Sequence, residues 1–492
     1  MRARTMKTNL NGRLLACRAA AAAAAVLLAA CQTTGAGTQG TRDPRQAEAS
    51  NMQLVGHNDL QARSAYQPVI LQQGNRWIAY VGHHGGIQLN PLNGQKENNG
   101  TSIVDVTDPR NPRYLAHIPG DEGEGEAGAA QMVRICDGKT LPKGDPAKRY
   151  MLRTFGNKGH EIWDITVPEK PALLTTVIKG LKGTHKNWWE CDTGIAYLIS
   201  GVQEWRSTRM TQVWDLSNPA KPVHIRDFGL VGQQPGATGK VPINLHGPIS
   251  TGPKGNRIYF GYGTNTDGVL QIVDREKLLN GPKEPTPENL LYPQIARFEL
   301  GPFSGAHTTL PVLGMDVAQF AKDAKGKKRD FVFIVNESLR NECTEEARQL
   351  VYVVDVTNEA TPFPVANFDV PEERGNFCAR GGRFGAHSSN ENQPPMYAKR
   401  VLFVTWFNAG VRAIDIRDPY RLKEIGYFIP AITDKTAQRC VKTPQGARCK
   451  IEIQSNNVEV DDRGYVYVVD RANTGVHILE LTGAARSVAN FR

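Results

Sequence analysis

The 492-residue sequence has no long apolar run after residue 32, so no membrane-spanning helix is expected in the rest of the chain. It has no Cys-x-x-Cys pair, which argues against a zinc or redox-cysteine motif. It lacks a Gly-x-Ser-x-Gly elbow, a phosphate-binding loop and a dinucleotide fingerprint, so hydrolase, kinase and nucleotide-dehydrogenase readings have no sequence support. No Lys/Arg-rich run of the nucleic-acid-binding type occurs, and no nucleic-acid partner is expected. The net charge of +10 is partly an N-terminal matter, because residues 1–30 carry five Lys/Arg and no acid. What is abundant is turn chemistry, with 48 glycines and 30 prolines, which favours many short strands over long helices. With 40% hydrophobic and 22% charged residues the chain can build a sizeable core.

Arg2, Arg4, Lys7, Arg13 and Arg18 precede an apolar segment, Ala19 to Leu28, that has the length of a signal-peptide core and is too short to span a bilayer. Leu28-Ala29-Ala30-Cys31 then resembles a bacterial lipobox, which implies lipidation of Cys31. Cys17 has no apolar run before it and is rejected as the acylation site. Residue 32 is Gln rather than Asp, which points to outer-membrane anchoring, periplasmic or surface-facing. The expected division is a signal peptide over 1–30, a flexible tether over 31–52 and a folded domain over 53–492. Six cysteines remain, and an even count in an exported chain suggests disulfides. Cys440 and Cys449 flank a polar loop and could close a hairpin. Cys136 and Cys191 stand at similar points of successive repeats, and Cys343 with Cys378 is left by elimination, although six cysteines allow many other connectivities.

The repeat is a short apolar strand ending in Asp. Ile103-Val104-Asp105-Val106-Thr107, Ile162-Trp163-Asp164-Ile165-Thr166 and Val213-Trp214-Asp215-Leu216-Ser217 are the first three copies. Asp274, Asp355 and Asp415 close the next three, and Glu480 marks a degenerate seventh. Spacings are 59, 51, 59, 81, 60 and 65 residues. Most copies follow an aromatic, β-branched strand such as Phe331–Val335 or Tyr465–Val469, and a Pro-bounded turn with a further short strand comes after. The Asp and the Thr/Ser after it are expected to tie the turn by side-chain to backbone hydrogen bonds. One more inner strand makes a four-stranded meander, so the fold class is all-β: a seven-bladed β-propeller of four-stranded blades, with insertions at 279–328 and 364–398. The Ile-Val-Asp-Val-Thr-Asp-Pro copies resemble the LVIVD repeats of bacterial exported propellers, over residues 75–485. That resemblance implies architecture more than activity.

Five of the eleven histidines occupy what looks like one repeat position, at the start of the innermost strand: His57, His185, His246, His307 and His387. Asn456 or Asn457 falls there in the last copy, and Gln131 in the second. Equivalent residues of successive inner strands converge on a central channel, where neutral imidazoles suit Cu, Fe or Zn. Glu190 and Glu391 lie near these segments as a further ligand or general base. A recurring structural histidine, bonded within or between blades, fits the same pattern. A fainter similarity is to selenium-binding-protein and methanethiol-oxidase-type propellers, which also carry several channel histidines; no residue role is carried over from them. Weaker features are His83-His84 in a Gly loop, Trp188-Trp189 with Trp205 as an aromatic platform, Arg380 and Arg383 beside Gly381-Gly382 as an anion site, and the acidic loop Asp121–Glu126. Two functions remain: a membrane-anchored binding or scaffold module with an envelope protein or glycan partner, or a copper-type metal-dependent oxidoreductase with a His-lined channel.

Overall fold

A computed structural model describes residues 43–316, 328–371 and 376–491. Among the described residues, six antiparallel sheets of four strands and one of four strands with a fifth paired to its second strand form the seven blades. The first strands of blades one to five are Ala65–Gln73, Val133–Asp137, Asn187–Trp189, Leu245–Ser250 and Thr308–Asp316. Blade seven begins with Ser455–Val460, and the inner edge of blade six is the bridge between Ser389 and Val404. These first strands lie against those of neighbouring blades, so they are the innermost and line the channel. The recurring Asp ends the third strand of the first six blades.

The repeat motif works locally, as its chemistry predicts. The Asp105 carboxylate accepts from the Thr107 N–H at 2.9 Å, and Asp164, Asp215, Asp355 and Asp415 accept in the same way from the residue two further on. The threonine hydroxyl then accepts from the start of the second strand, Trp77, Arg149 or Asp330, which binds the turn to its own blade. In blade four Asp274 instead caps the helix Arg275–Asn280, which accounts for the missing proline tail there.

Alternation along the strands packs one blade on the next. Phe331, Phe333 and Val335 face blade six, whereas Val332 and Ile334 face blade four. Seven separate apolar clusters result, one per interface. Each fully buried Val, Leu, Ile or Phe in them is worth roughly 1.5–3 kcal/mol. Three disulfides add to this: Cys136–Cys191 between blades two and three, Cys343–Cys378, and Cys440–Cys449 across the hairpin Gln438–Thr443 with Gly446–Ile451.

The ring closes through the N-terminal segment. Glu48–Ser50 is the outermost strand of blade six, paired with Lys423–Ile429, and Met52–Asn58 is the outermost strand of blade seven, paired with Gly475–Leu481. The folded domain therefore starts before residue 53, and residues 48–52 of the expected tether belong to it. The physical reason is that the last meander lacks a fourth strand of its own and the outer edge of blade six is open, and an unpaired edge is satisfied by whatever strand reaches it. The expected signal peptide and Cys31 lie outside the described residues. No helix among the described residues is long and apolar enough to cross a membrane.

Candidate functional site

First strands start, and second strands end, at the same mouth of the channel, because the two are antiparallel. The starts of first strands, or the residues just before them, deliver Tyr66, His185, His246, His307, His387 and Asn456. The ends of second strands deliver His84, Glu337 and Arg471. All four of these inner histidines, His84 and Glu337 are buried.

Their contacts form one network. The Nε2 atoms of His185 and His246 are 2.7 Å apart, and the Tyr66 hydroxyl is 3.2 Å from that of His185. His246 Nδ1–H donates to the His307 carbonyl at 3.0 Å, and His387 Nδ1–H donates to the Asn456 carbonyl at 2.6 Å. A carbonyl can only accept, so both rings are Nδ1-protonated and keep an Nε2 lone pair. Their Nε2 atoms and that of His307 face Glu337: His246 Nε2 lies 3.9 Å, His307 Nε2 3.8 Å and His387 Nε2 3.6 Å from its carboxylate oxygens. His307 Nε2 has no hydrogen-bond partner although it is buried. Ligand atoms of His246, His307 and Glu337 all lie within 4.8 Å of one another.

The electrostatics match ligand chemistry. Burial holds His185, His246, His307 and His387 well below the ordinary imidazole range, helped by Arg209 for His185, by His185 for His246, by His246 for His307 and by Arg471 for His387. All four are neutral at pH 7, the state a metal needs. Burial pushes Glu337 up to about 7, against the opposing pull of Arg383, whose Nη1 donates to it at 3.1 Å. A buried carboxyl facing three imidazole nitrogens is a place for a proton or a cation.

The structure brings four of the five expected histidines together and leaves out His57. His57 lies on the outermost strand of blade seven, where its Nε2 meets the Thr474 carbonyl at 2.6 Å and its ring packs 4.8 Å from His477. The corresponding inner position of blade one belongs to Tyr66. Glu190 is no free ligand either: Arg275, Ser250, Tyr197 and Thr193 bind its carboxylate. Glu391 pairs with Arg134 at 2.6 Å and approaches Lys186 at 3.8 Å, towards the opposite mouth. There it lines a cavity of about 440 Å³ with Arg134, Trp188 and Glu459. Trp189 and Trp205 are core residues, and Trp188 lies under the Arg134 guanidinium. His83 is bonded to Ser102, whereas its neighbour His84 reaches the channel. Arg380 pairs with Glu48, Asp121 with Lys158 and Glu126 with Arg209. Glu337, Tyr66 and Arg471 are not among the sequence expectations, and His84 is there only as half of a pair in a Gly loop; the available signal is a polar or charged residue directly after an apolar second strand, as in Val335-Asn336-Glu337 and Val469-Asp470-Arg471.

Two solved structures are similar to this chain at the level of the fold. Sqt1 from Chaetomium thermophilum has 10% identity and a TM-score of 0.47, covering 87% of this chain and 99% of its own. A hypothetical selenium-binding protein from Sulfolobus tokodaii has 12% identity and a TM-score of 0.47, covering 87% of this chain and 86% of its own. No family model and no curated protein matches the chain.

Proposed function

We propose that this protein is a β-propeller metalloprotein of the LVIVD type, with one transition-metal ion held in its channel by His246, His307 and Glu337 and flanked by His185 and His387. The observation that carries the reading is the tautomer lock. Backbone carbonyls take the Nδ1–H of His246 and His387, and the Nε2 atoms of these rings converge with that of His307 on one buried carboxyl. A set of imidazoles with one carboxylate suits copper, iron or zinc. With copper or iron the protein is an oxidoreductase. The lipobox at Cys31 supports an outer-membrane tether for it.

Elemental analysis of the protein, purified untagged after expression with trace metals, tests this reading. Near-stoichiometric copper, iron or zinc is expected, and Glu337→Gln should lower it about tenfold or more. Metal far below stoichiometry, even after reconstitution, overturns the reading.

A partner-binding role is favoured by one separate feature. The hairpin Ile87–Asn90 with Gln95–Asn98, inserted in blade one, exposes Ile87, Leu89 and Leu92. Membrane-fraction pull-downs comparing the parent with Ile87→Ser/Leu89→Ser test that role.

A further inference from the structure

Beside the histidine cluster the same mouth holds one guanidinium, Arg471, with no carboxylate hydrogen-bonded to it among the described residues, and a second, Arg383, paired with Glu337. Arg471 donates from Nη2 to His84 Nε2 at 3.2 Å, and its buried Nη1 has no partner. Arg383 spans from Glu337 to the Ser338 carbonyl, each at 3.1 Å. Both guanidiniums lie over one ring, Phe407, at 5.3 Å for Arg383 and 6.0 Å for Arg471. The Phe407 ring is also 4.9 Å from the His387 ring. Phe407 adopts φ +36°, a left-handed backbone that a phenylalanine rarely takes, and its position between the two arginines and the cluster is what that strain secures. A third guanidinium, Arg439, donates to the Arg471 carbonyl at 2.8 Å and has an unpartnered Nε.

The acids nearby are already engaged. Glu126 is bound by Arg209, Glu337 faces three imidazoles, and the Asp470 carboxylate accepts from the backbone N–H groups of Gln454 and Ala472. Burial, with Arg383 next in weight, pushes Arg471 down to about 9. Glu337 and Glu126 oppose this shift, and arginine remains a cation throughout. Arg471 and Arg383 are each half-buried as whole residues, and the unpartnered Arg471 Nη1 is itself buried.

We propose that Arg471 and Arg383 form an oxyanion-binding site at this mouth, which takes the carboxylate or phosphate group of a small ligand and holds it beside the histidine cluster. Arginine presents its donors in a planar fork that matches both groups, and a bound oxyanion supplies the Nη1 partner that the protein does not. The identification of that anion as the substrate of the channel rests on the metal reading above; the binding itself does not.

Calorimetric titration of the whole protein with acetate and with inorganic phosphate, each against sodium chloride of matched ionic strength, tests the site. Saturable binding of at least one oxyanion is expected, and the stronger of the two identifies the source. Arg471→Gln should weaken it about tenfold or more, Arg471→Lys should weaken it while retaining charge, and Arg257→Gln, which removes a guanidinium paired with Glu359 on blades four and five, should leave it unchanged. Binding no stronger than that of chloride, or equal binding by the parent and the Arg471→Lys or folded Arg471→Gln variants, overturns the proposal. Elemental analysis of the same samples separates the two readings. Metal-free protein that binds an oxyanion refutes only the metal centre, and metal-loaded protein that binds none refutes only this site.

Discussion

His185 and His246, 61 residues apart in the chain, meet across blades three and four with their Nε2 atoms 2.7 Å apart. Two lone pairs cannot face each other at that distance, and with the His246 Nδ1–H taken by a carbonyl, His185 Nε2–H donates to His246 Nε2. His246→Ala is expected to cut metal affinity by about tenfold to a hundredfold while circular dichroism stays that of the parent. His57→Ala, on the outer strand, should leave metal content at the parent level. Equal loss in both variants would place the metal elsewhere.

Acid should destabilise the fold steeply. Nine buried histidines titrate below their ordinary value of 6.5, chiefly through burial. Below pH 6.5 the unfolded chain binds more protons at these sites than the folded one, so their contribution is present above that pH and is lost as pH falls. The slope is about 1.4 kcal/mol per pH unit for each histidine. Glu337, raised to about 7, and Glu459, raised to about 8, have the opposite sign: their stabilisation is present below the unfolded carboxyl value and is lost as pH rises towards those values. Between pH 6.5 and 4.5 the nine outnumber the two. Urea unfolding at pH 7.5, 6.0 and 5.0 should give monotonically falling stability, and a flat profile would show that the histidines are hydrated and charged in the fold.

Removing the clasp should open the ring. A chain beginning at residue 59 loses the outer strands of blades six and seven and with them the buried Met52, which packs among Val411, Val468 and Leu479. Loss of that side chain alone costs roughly 2–5 kcal/mol. The expected result is a large drop in melting temperature, with cleavage first in blades six and seven under limited proteolysis. A parent-like melting curve would deny the strands their closing role.

The Cys136–Cys191 bridge closes a 55-residue separation between two blades, and Cys440–Cys449 closes only nine. Chain-entropy reasoning gives the longer loop the greater effect, about 2–4 kcal/mol on removal. Cys136→Ser/Cys191→Ser should therefore lower the melting temperature more than Cys440→Ser/Cys449→Ser.

Cys31→Ala should move the protein from the membrane fraction to the soluble envelope fraction. Unchanged partitioning would show that something other than lipidation at Cys31 holds it.

The blades were legible because their chemistry is local. An Asp, a Thr two residues on and a flanking Pro fix a turn through hydrogen bonds within a few residues, and strand alternation follows from a period of two. The inner-strand histidines could be read for the same reason, since His185, His246, His307 and His387 recur at one register in successive repeats. His57 was misassigned because Gly-His-Asn-Asp imitates that register, while its actual partner strand lies more than 400 residues away at Gly475–Leu481. Glu337, His84 and Arg471 come from the ends of second strands in three separate blades, and their convergence depends on seven blades closing into a ring. The repeat, the blade and the identity of most inner-strand groups follow from residues that are neighbours along the chain. Which strands close the ring, which histidine leaves the channel and which carboxylate enters it depend on contacts between residues that meet once the whole circle has formed.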